Sequence, residues 1–165
     1  MFCSRIVAER DDGALNLKVK GGAMSVSARN QLTGIVSSVT DGAVNNEVVL
    51  KLDGGEQLTT VITRASSDSL GLVPGKSVVA LVKAPWVILA SVDCGLNFSA
   101  RNQFVGRVKS IVKGAVNSTV HVKTGNGLLL TSSITNESLD EMAIVDGSEV
   151  MALIKASSVI LATQK

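Results

Sequence analysis

Ser27-Ala28-Arg29-Asn30-Gln31 recurs as Ser99-Ala100-Arg101-Asn102-Gln103, at an offset of 72 residues (27 to 99). The same offset, without a gap, carries Gly42-Ala43-Val44-Asn45 onto Gly114-Ala115-Val116-Asn117 and Ile62-Thr63 onto Ile134-Thr135. It also carries Lys83-Ala84 onto Lys155-Ala156, and Val87-Ile88-Leu89-Ala90 onto Val159-Ile160-Leu161-Ala162. Roughly half of the aligned positions are identical, more than a common β-rich composition produces. The chain is a duplication. Two copies are too few for a solenoid, so the repeat predicts two related small domains, 24–92 and 93–165, packed together.

Within each copy the pattern is all-β. β-branched residues dominate, turn signals come every eight to twelve residues, and no long helical period survives. In the first copy the expected strands run over about 26–40, 46–52, 57–63, 77–83 and 86–90. Gly34 is expected to mark a bulge or a barrel corner. Asp41-Gly42 reads as a hairpin turn and Asp53-Gly54-Gly55 as a second. The β-pattern lapses over Ala65–Leu70, where Thr63 or Ser66 can cap a short helix with Asp68 in its first turn. Pro85 breaks the chain before the last strand. Five strands and one helical turn per copy predict a pair of small OB-like barrels. Each copy has about sixty-five residues and buries too little surface to be comfortable alone. Pairing with the other copy, and a homo-oligomer with sites between subunits, are therefore expected.

Residues 1–23 have no counterpart in the second copy and read as an extension ending in a flexible Gly21-Gly22 pair. Leu15-Asn16-Leu17-Lys18-Val19-Lys20 alternates apolar and polar, as one strand would. Met24 stands just before the repeat, so the functional protein can be read as starting there, the leader being a start-site artefact or a joint to a lost domain.

Composition excludes several functions. With 45% hydrophobic and 18% charged residues the chain is of the globular class. Only 2% is aromatic and there is no Tyr, so the stacking platforms of single-strand nucleic-acid binders are missing. Sixteen Lys and Arg stand against fourteen Asp and Glu, a net charge of +2 with no concentrated basic face. Cys3 and Cys94 lie outside the repeated pattern and suggest neither a disulfide framework nor a metal pair, in keeping with a reducing cytoplasm. The chain has no run of about eighteen apolar residues that could span a bilayer, and the leader lacks a signal peptide's apolar core. An enzyme is not expected: the single histidine, His121, aligns with Val49 and reads as a half-exposed strand residue. No Cys/His cluster has metal-ligand spacing and no Gly-rich phosphate loop precedes a helix.

What the duplication does repeat is a set of anion-binding groups. Ser27 with Arg29, Thr63 with Ser66, and Lys83 with Ala84 are matched by Ser99 with Arg101, Thr135 with Ser138, and Lys155 with Ala156. In an extended segment residues two apart share a face, so a hydroxyl and a guanidinium are presented together. Hydroxyls at a helix N-terminus, and a lysine at a strand end, add further donors. Each residue also has an ordinary structural use: an ion pair for Arg29, a cap for Thr63, a strand end for Ser27, a solvated position for Lys83. Their joint retention in both copies favours the binding role.

SARNQ, GAVN, the ITxxS hydroxyl pattern and KA followed by VILA resemble the tandem Mop proteins of the molybdate-binding ModG type. The same module forms the effector half of ModE regulators. The resemblance covers residues 24–162. It implies a Mop barrel in each copy and cytoplasmic storage and buffering of molybdate or tungstate, with no catalytic cofactor. It further implies a homo-oligomer, a trimer, holding the oxyanions at subunit interfaces. The family's ligand contacts carry over to Ser27, Ala28, Arg29, Thr63, Ser66, Lys83 and Ala84. In the second copy they fall on Ser99, Ala100, Arg101, Thr135, Ser138, Lys155, Ala156 and Ser157. Molybdate at neutral pH is a dianion with acceptor oxygens only, which such donors satisfy and an acid would not. Pro85-Trp86 stands where the second copy has Ser157-Ser158, so non-equivalent sites are expected. The alternative from another class is an effector module of a transcriptional regulator, for which residues 1–23 offer no amphipathic helical pair. Direct nucleic-acid or membrane binding is not expected.

Overall fold

The computed structural model describes residues 6–11, 14–19 and 26–164. A leading hairpin pairs β1 (Ile6–Asp11) with β2 (Ala14–Val19), which places a strand where the alternation around Leu15 predicts one. Gly21-Gly22 and Met24 lie outside the described residues.

The first repeat supplies β3 (Asn30–Thr40), β4 (Asn45–Leu52), β5 (Gln57–Thr63), β6 (Ser77–Val82) and β7 (Val87–Ser91). Helix α1 (Arg64–Leu70) follows β5, and a single 3₁₀ turn, Ala84–Trp86, precedes β7. The second repeats the order with β8 (Asn102–Lys113), β9 (Asn117–Thr124), β10 (Leu129–Thr135), α2 (Asn136–Glu141), β11 (Glu149–Ile154) and β12 (Ile160–Ala162). A 3₁₀ turn over Ala156–Ser158 precedes β12. The expected meander is present, and the two five-stranded sheets curl as small OB-like barrels.

The sheets are not built from one repeat each. Their strand orders are β12-β6-β3-β4-β5 and β10-β9-β8-β11-β7, so each repeat lends its last strand to the other. Val87 faces Ile154 and Leu89 faces Ala152; in return Leu161 faces Ala80. The connector is Lys83-Ala84-Pro85-Trp86, a 3₁₀ turn with no positive-φ residue; the chain leaves β6 through it and joins the neighbouring sheet against β11.

A second tie is polar. Asn30 lies in phase with Leu32 and Val36 on the buried face of β3. Its Nδ2 donates to the Thr131 carbonyl at 2.8 Å, and its Oδ1 accepts from the Thr131 N–H at 2.7 Å. Asn102 repeats this on Thr59, 2.7 Å in both directions. Each amide also donates within its own repeat, to Val82 or Ile154. Thr60 and Ser132 donate across the same boundary, to the Val159 and Val87 carbonyls. The four bonding patterns are related by the 72-residue offset, so the repeats face each other with two-fold pseudo-symmetry. One apolar core runs through both and includes Val48, Leu50, Leu58, Val87, Val120, Val122, Leu130 and Ile154.

Three local expectations change. The register shift in β3 falls between Val36 and Ser38, and in β8 between Val108 and Ser110, not at the glycine. Gly34 is needed for close approach: a Cβ there would stand 2.9 Å from the Lys51 carbonyl oxygen. Thr63 is the cap of α1, and Asp68 falls beyond the first turn, which holds no acid. The first strand begins at Asn30, so Ser27–Arg29 precedes it.

Asn30→Ala leaves the buried N–H and carbonyl of Thr131 without partners. At about 1–3 kcal/mol for each unmade bond, the expected loss is about 2–6 kcal/mol in urea unfolding. Asn30→Asp, which sets a carboxylate against the Thr131 carbonyl, is expected to be no better. A loss under about 0.5 kcal/mol, the level of an ordinary surface change, would rule out the amide as a clamp.

Candidate functional site

The segment before β3 is short, irregular and tied down. Gln31 Nε2 donates to the Ala28 carbonyl at 3.1 Å and to the Val26 carbonyl at 3.4 Å. Gln103 does the same for Ala100 and Phe98, at 2.9 and 3.2 Å. Within the repeated pentapeptide, then, Asn and Gln serve the fold. Ser and Arg are left facing outward, exposed in both copies.

Ser27, Arg29, Lys83, Ala84 and Pro85 line one cleft of about 280 Å³ together with Thr119 and Ser133 of the second repeat. The strand exchange produces this meeting, because the 3₁₀ turn after Lys83 packs on β10. Two cations and three hydroxyls converge there, and no carboxylate is among the lining residues. Among the described residues Arg29 and Lys83 make no ion pair. Such a lining offers donors and positive charge, the complement of an anion whose oxygens can only accept.

Thr63 and Ser66 lie elsewhere. They line a larger cleft, about 650 Å³, with Asn45, Ser69 and Ser157, the last from the opposite repeat. Its remaining walls are apolar, including Leu70, Val159 and Leu161. Thr63 Oγ1 accepts from the Ser66 N–H at 3.1 Å and lies 2.8 Å from Ser66 Oγ, and the Arg64 N–H donates to Val44. Most of the helix's first donors are therefore used internally; one hydroxyl proton of the Thr63–Ser66 pair remains to point outward. Thr135 and Ser138 reproduce the pair at 2.9 Å, and the Asn136 N–H donates to Val116.

The hydroxyl pair and the cationic cluster of one repeat therefore do not share a cleft; each meets groups of the other repeat. In the second copy Ser99, Arg101 and Lys155 are exposed and Ala156 is buried, as their counterparts are. Arg101 differs from Arg29: its Nη2 donates to Glu47 Oε1 at 3.0 Å. Thr119, Ser133 and Glu47 were not singled out by the internal comparison because the copies differ there: Thr119 aligns with Glu47, and Ser133 with Val61. His121 sits half-buried on β9 with Nδ1 3.2 Å from Thr131 Oγ1, as a strand histidine. Among the described residues no group of three acidic, Cys or His side chains is placed to hold a metal ion. No described helix is long and apolar enough to cross a membrane.

A family model described as TOBE domain matches residues 26–89 and again 99–161. The molybdenum-pterin-binding protein MopA of Rhodobacter capsulatus is 43% identical over 139 residues, 84% of this chain and 52% of that protein. The molybdenum transport protein ModE of Azotobacter vinelandii is 40% identical over 140 residues, 85% of this chain and 52% of that protein. The chain thus spans about half the length of the curated relatives it matches. A crystal structure of the cytoplasmic molybdate-binding protein ModG, with molybdate bound, superposes with a TM-score of 0.82 at 46% identity. That match covers 86% of this chain and all of the other.

Thr63→Ala removes a helix cap and is expected to cost about 1 kcal/mol of stability. Arg29→Ala removes an exposed side chain that pairs with no described acid, and should stay within about 0.5 kcal/mol. Urea unfolding of the two variants checks both. An equal loss in Arg29→Ala would make that residue part of the fold rather than of a site.

Proposed function

Because the chain belongs to the TOBE-domain family, in its tandem Mop form, we propose that it binds molybdate, or tungstate, and so stores and buffers the oxyanion in the cytoplasm. The carrying observation is the cleft of Ser27, Arg29, Lys83, Thr119 and Ser133, in which donors and two cations converge with no carboxylate in the lining. A tetrahedral dianion has only acceptor oxygens at neutral pH, so each contact it makes there is a charge-assisted hydrogen bond. Arg29 supplies a planar fork, Lys83 a compact point charge, and the hydroxyls turn to suit. Ala84 lies at the start of the 3₁₀ turn beside Lys83, where its small side chain leaves room for a ligand. The role is retention and release, with no bond made or broken in the protein.

By the pseudo-symmetry, Ser99, Ala100, Arg101, Lys155 and Ala156 form the second such cluster. Ala28 belongs with Ser27 and Arg29 through the backbone, and Thr63, Ser66 and Ser157, with Thr135 and Ser138, provide neutral hydroxyl subsites. Residues 24–92 and 93–165 act as two binding units that share clefts. Ile88 and Ile160, matching positions, are 61% and 53% exposed, and Val44 and Val116 are each 71% exposed. Apolar residues exposed at the same places in both repeats support further contacts between copies, in a trimer whose interfaces complete the sites.

Equilibrium dialysis against molybdate, tungstate, sulfate and phosphate tests the reading. Saturable molybdate uptake is expected, with Lys83→Ala and Lys155→Ala each weakening it by about tenfold while the thermal transition stays in place. Saturable sulfate or oligonucleotide binding in the absence of molybdate binding would overturn it.

A further inference from the structure

The two cationic clusters are related by the offset, yet their walls are not chemically equal. Arg29 meets Thr119 and Ser133 across the repeat boundary, two hydroxyls that can donate. At the matching places Arg101 meets Glu47, with Val61 standing for Ser133. The second cluster has therefore lost two donors and gained a carboxylate, and that carboxylate already holds the guanidinium at 3.0 Å. Glu47 is the less exposed partner, its side chain 31% accessible against 60% for Arg101. It sits within β4, between Thr40 of β3 and Val61 of β5, so its backbone is held by the sheet on both sides.

We propose that Glu47 is a built-in competitor that makes the Ser99–Arg101–Lys155 cluster the weaker of two unequal oxyanion sites. The proposal rests on the oxyanion-binding role given above. A fully deprotonated oxyanion has no proton to offer a carboxylate, so it must displace Glu47 from Arg101 and then lie beside a like charge. No such competitor lines the Arg29 cleft. The protein would then fill in two stages, holding the first oxyanions tightly and accepting more only when the supply rises. This asymmetry is separate from the Pro85 and Ser157 difference: that one alters a turn donor, whereas Glu47 sets the charge of the site.

Molybdate isotherms of the whole chain, by titration calorimetry with dialysis to count bound anion, test the assignment. Wild type should show two classes of site. Glu47→Thr, which installs the residue present in the other repeat, should tighten the weaker class by about tenfold, a log unit in Kd. Thr119→Glu should weaken the tighter class by a similar factor. Both positions are half-buried strand sites, and circular dichroism melts confirm that the variants fold. A single class in wild type, or a weaker class unmoved by Glu47→Thr, overturns the role of Glu47 while leaving molybdate binding intact. Absence of saturable binding in wild type overturns the binding role as well.

Discussion

Asn30 and Asn102 each commit a buried side-chain amide to the backbone of the opposite repeat, donating to a carbonyl and accepting from the N–H of the same residue. The amide acts as a one-residue strand, closing an edge that would otherwise bury unmet polar groups. These bonds form only when β3 of one repeat lies against β10 of the other, and β8 against β5. That juxtaposition also carries β7 and β12 into the opposite sheets. A repeat of this size has little core of its own; sharing strands and amides lets the two build one.

The same crossing decides which side chains share a cleft. The lysine at the end of β6 is followed by a turn that leaves its own sheet, so Lys83 is delivered to the wall formed by Thr119 and Ser133. A site assembled from both repeats has halves that can change independently after duplication. The paired clefts record this: the fold ties are kept in both copies, while the partners facing the two arginines have become hydroxyls on one side and a carboxylate on the other.

Most of the secondary structure was legible because it depends on local pattern. The strand over 57–63 and the hairpin turns follow from alternation and turn chemistry. The exchange was not legible, since β7 has the same alternating face whichever sheet receives it and its partner strand, β11, is distant in sequence. Gly34 illustrates a related ambiguity: a strand glycine marks either a bulge or a close approach, and the deciding Lys51 carbonyl is distant in sequence. For the site, repetition singled out SARNQ but could not divide it. Asn and Gln persist for the fold, Ser and Arg for the cleft. A clue was available in the phase of Asn30, which shares the face of Leu32 and Val36 and so has to be a satisfied buried polar group. Glu47 was hidden for the opposite reason: its importance lies in how it differs from Thr119.

On the proposed function the oxyanion is held between repeats, against the arginine segment of one and the strands of the other. Anomalous diffraction at the molybdenum edge, from crystals grown with molybdate, measures this directly. The account predicts a peak bounded by Ser27, Arg29 and Lys83 on one side and by Thr119 and Ser133 on the other. Molybdenum found only on surfaces made by a single repeat, with that cleft empty, would contradict it.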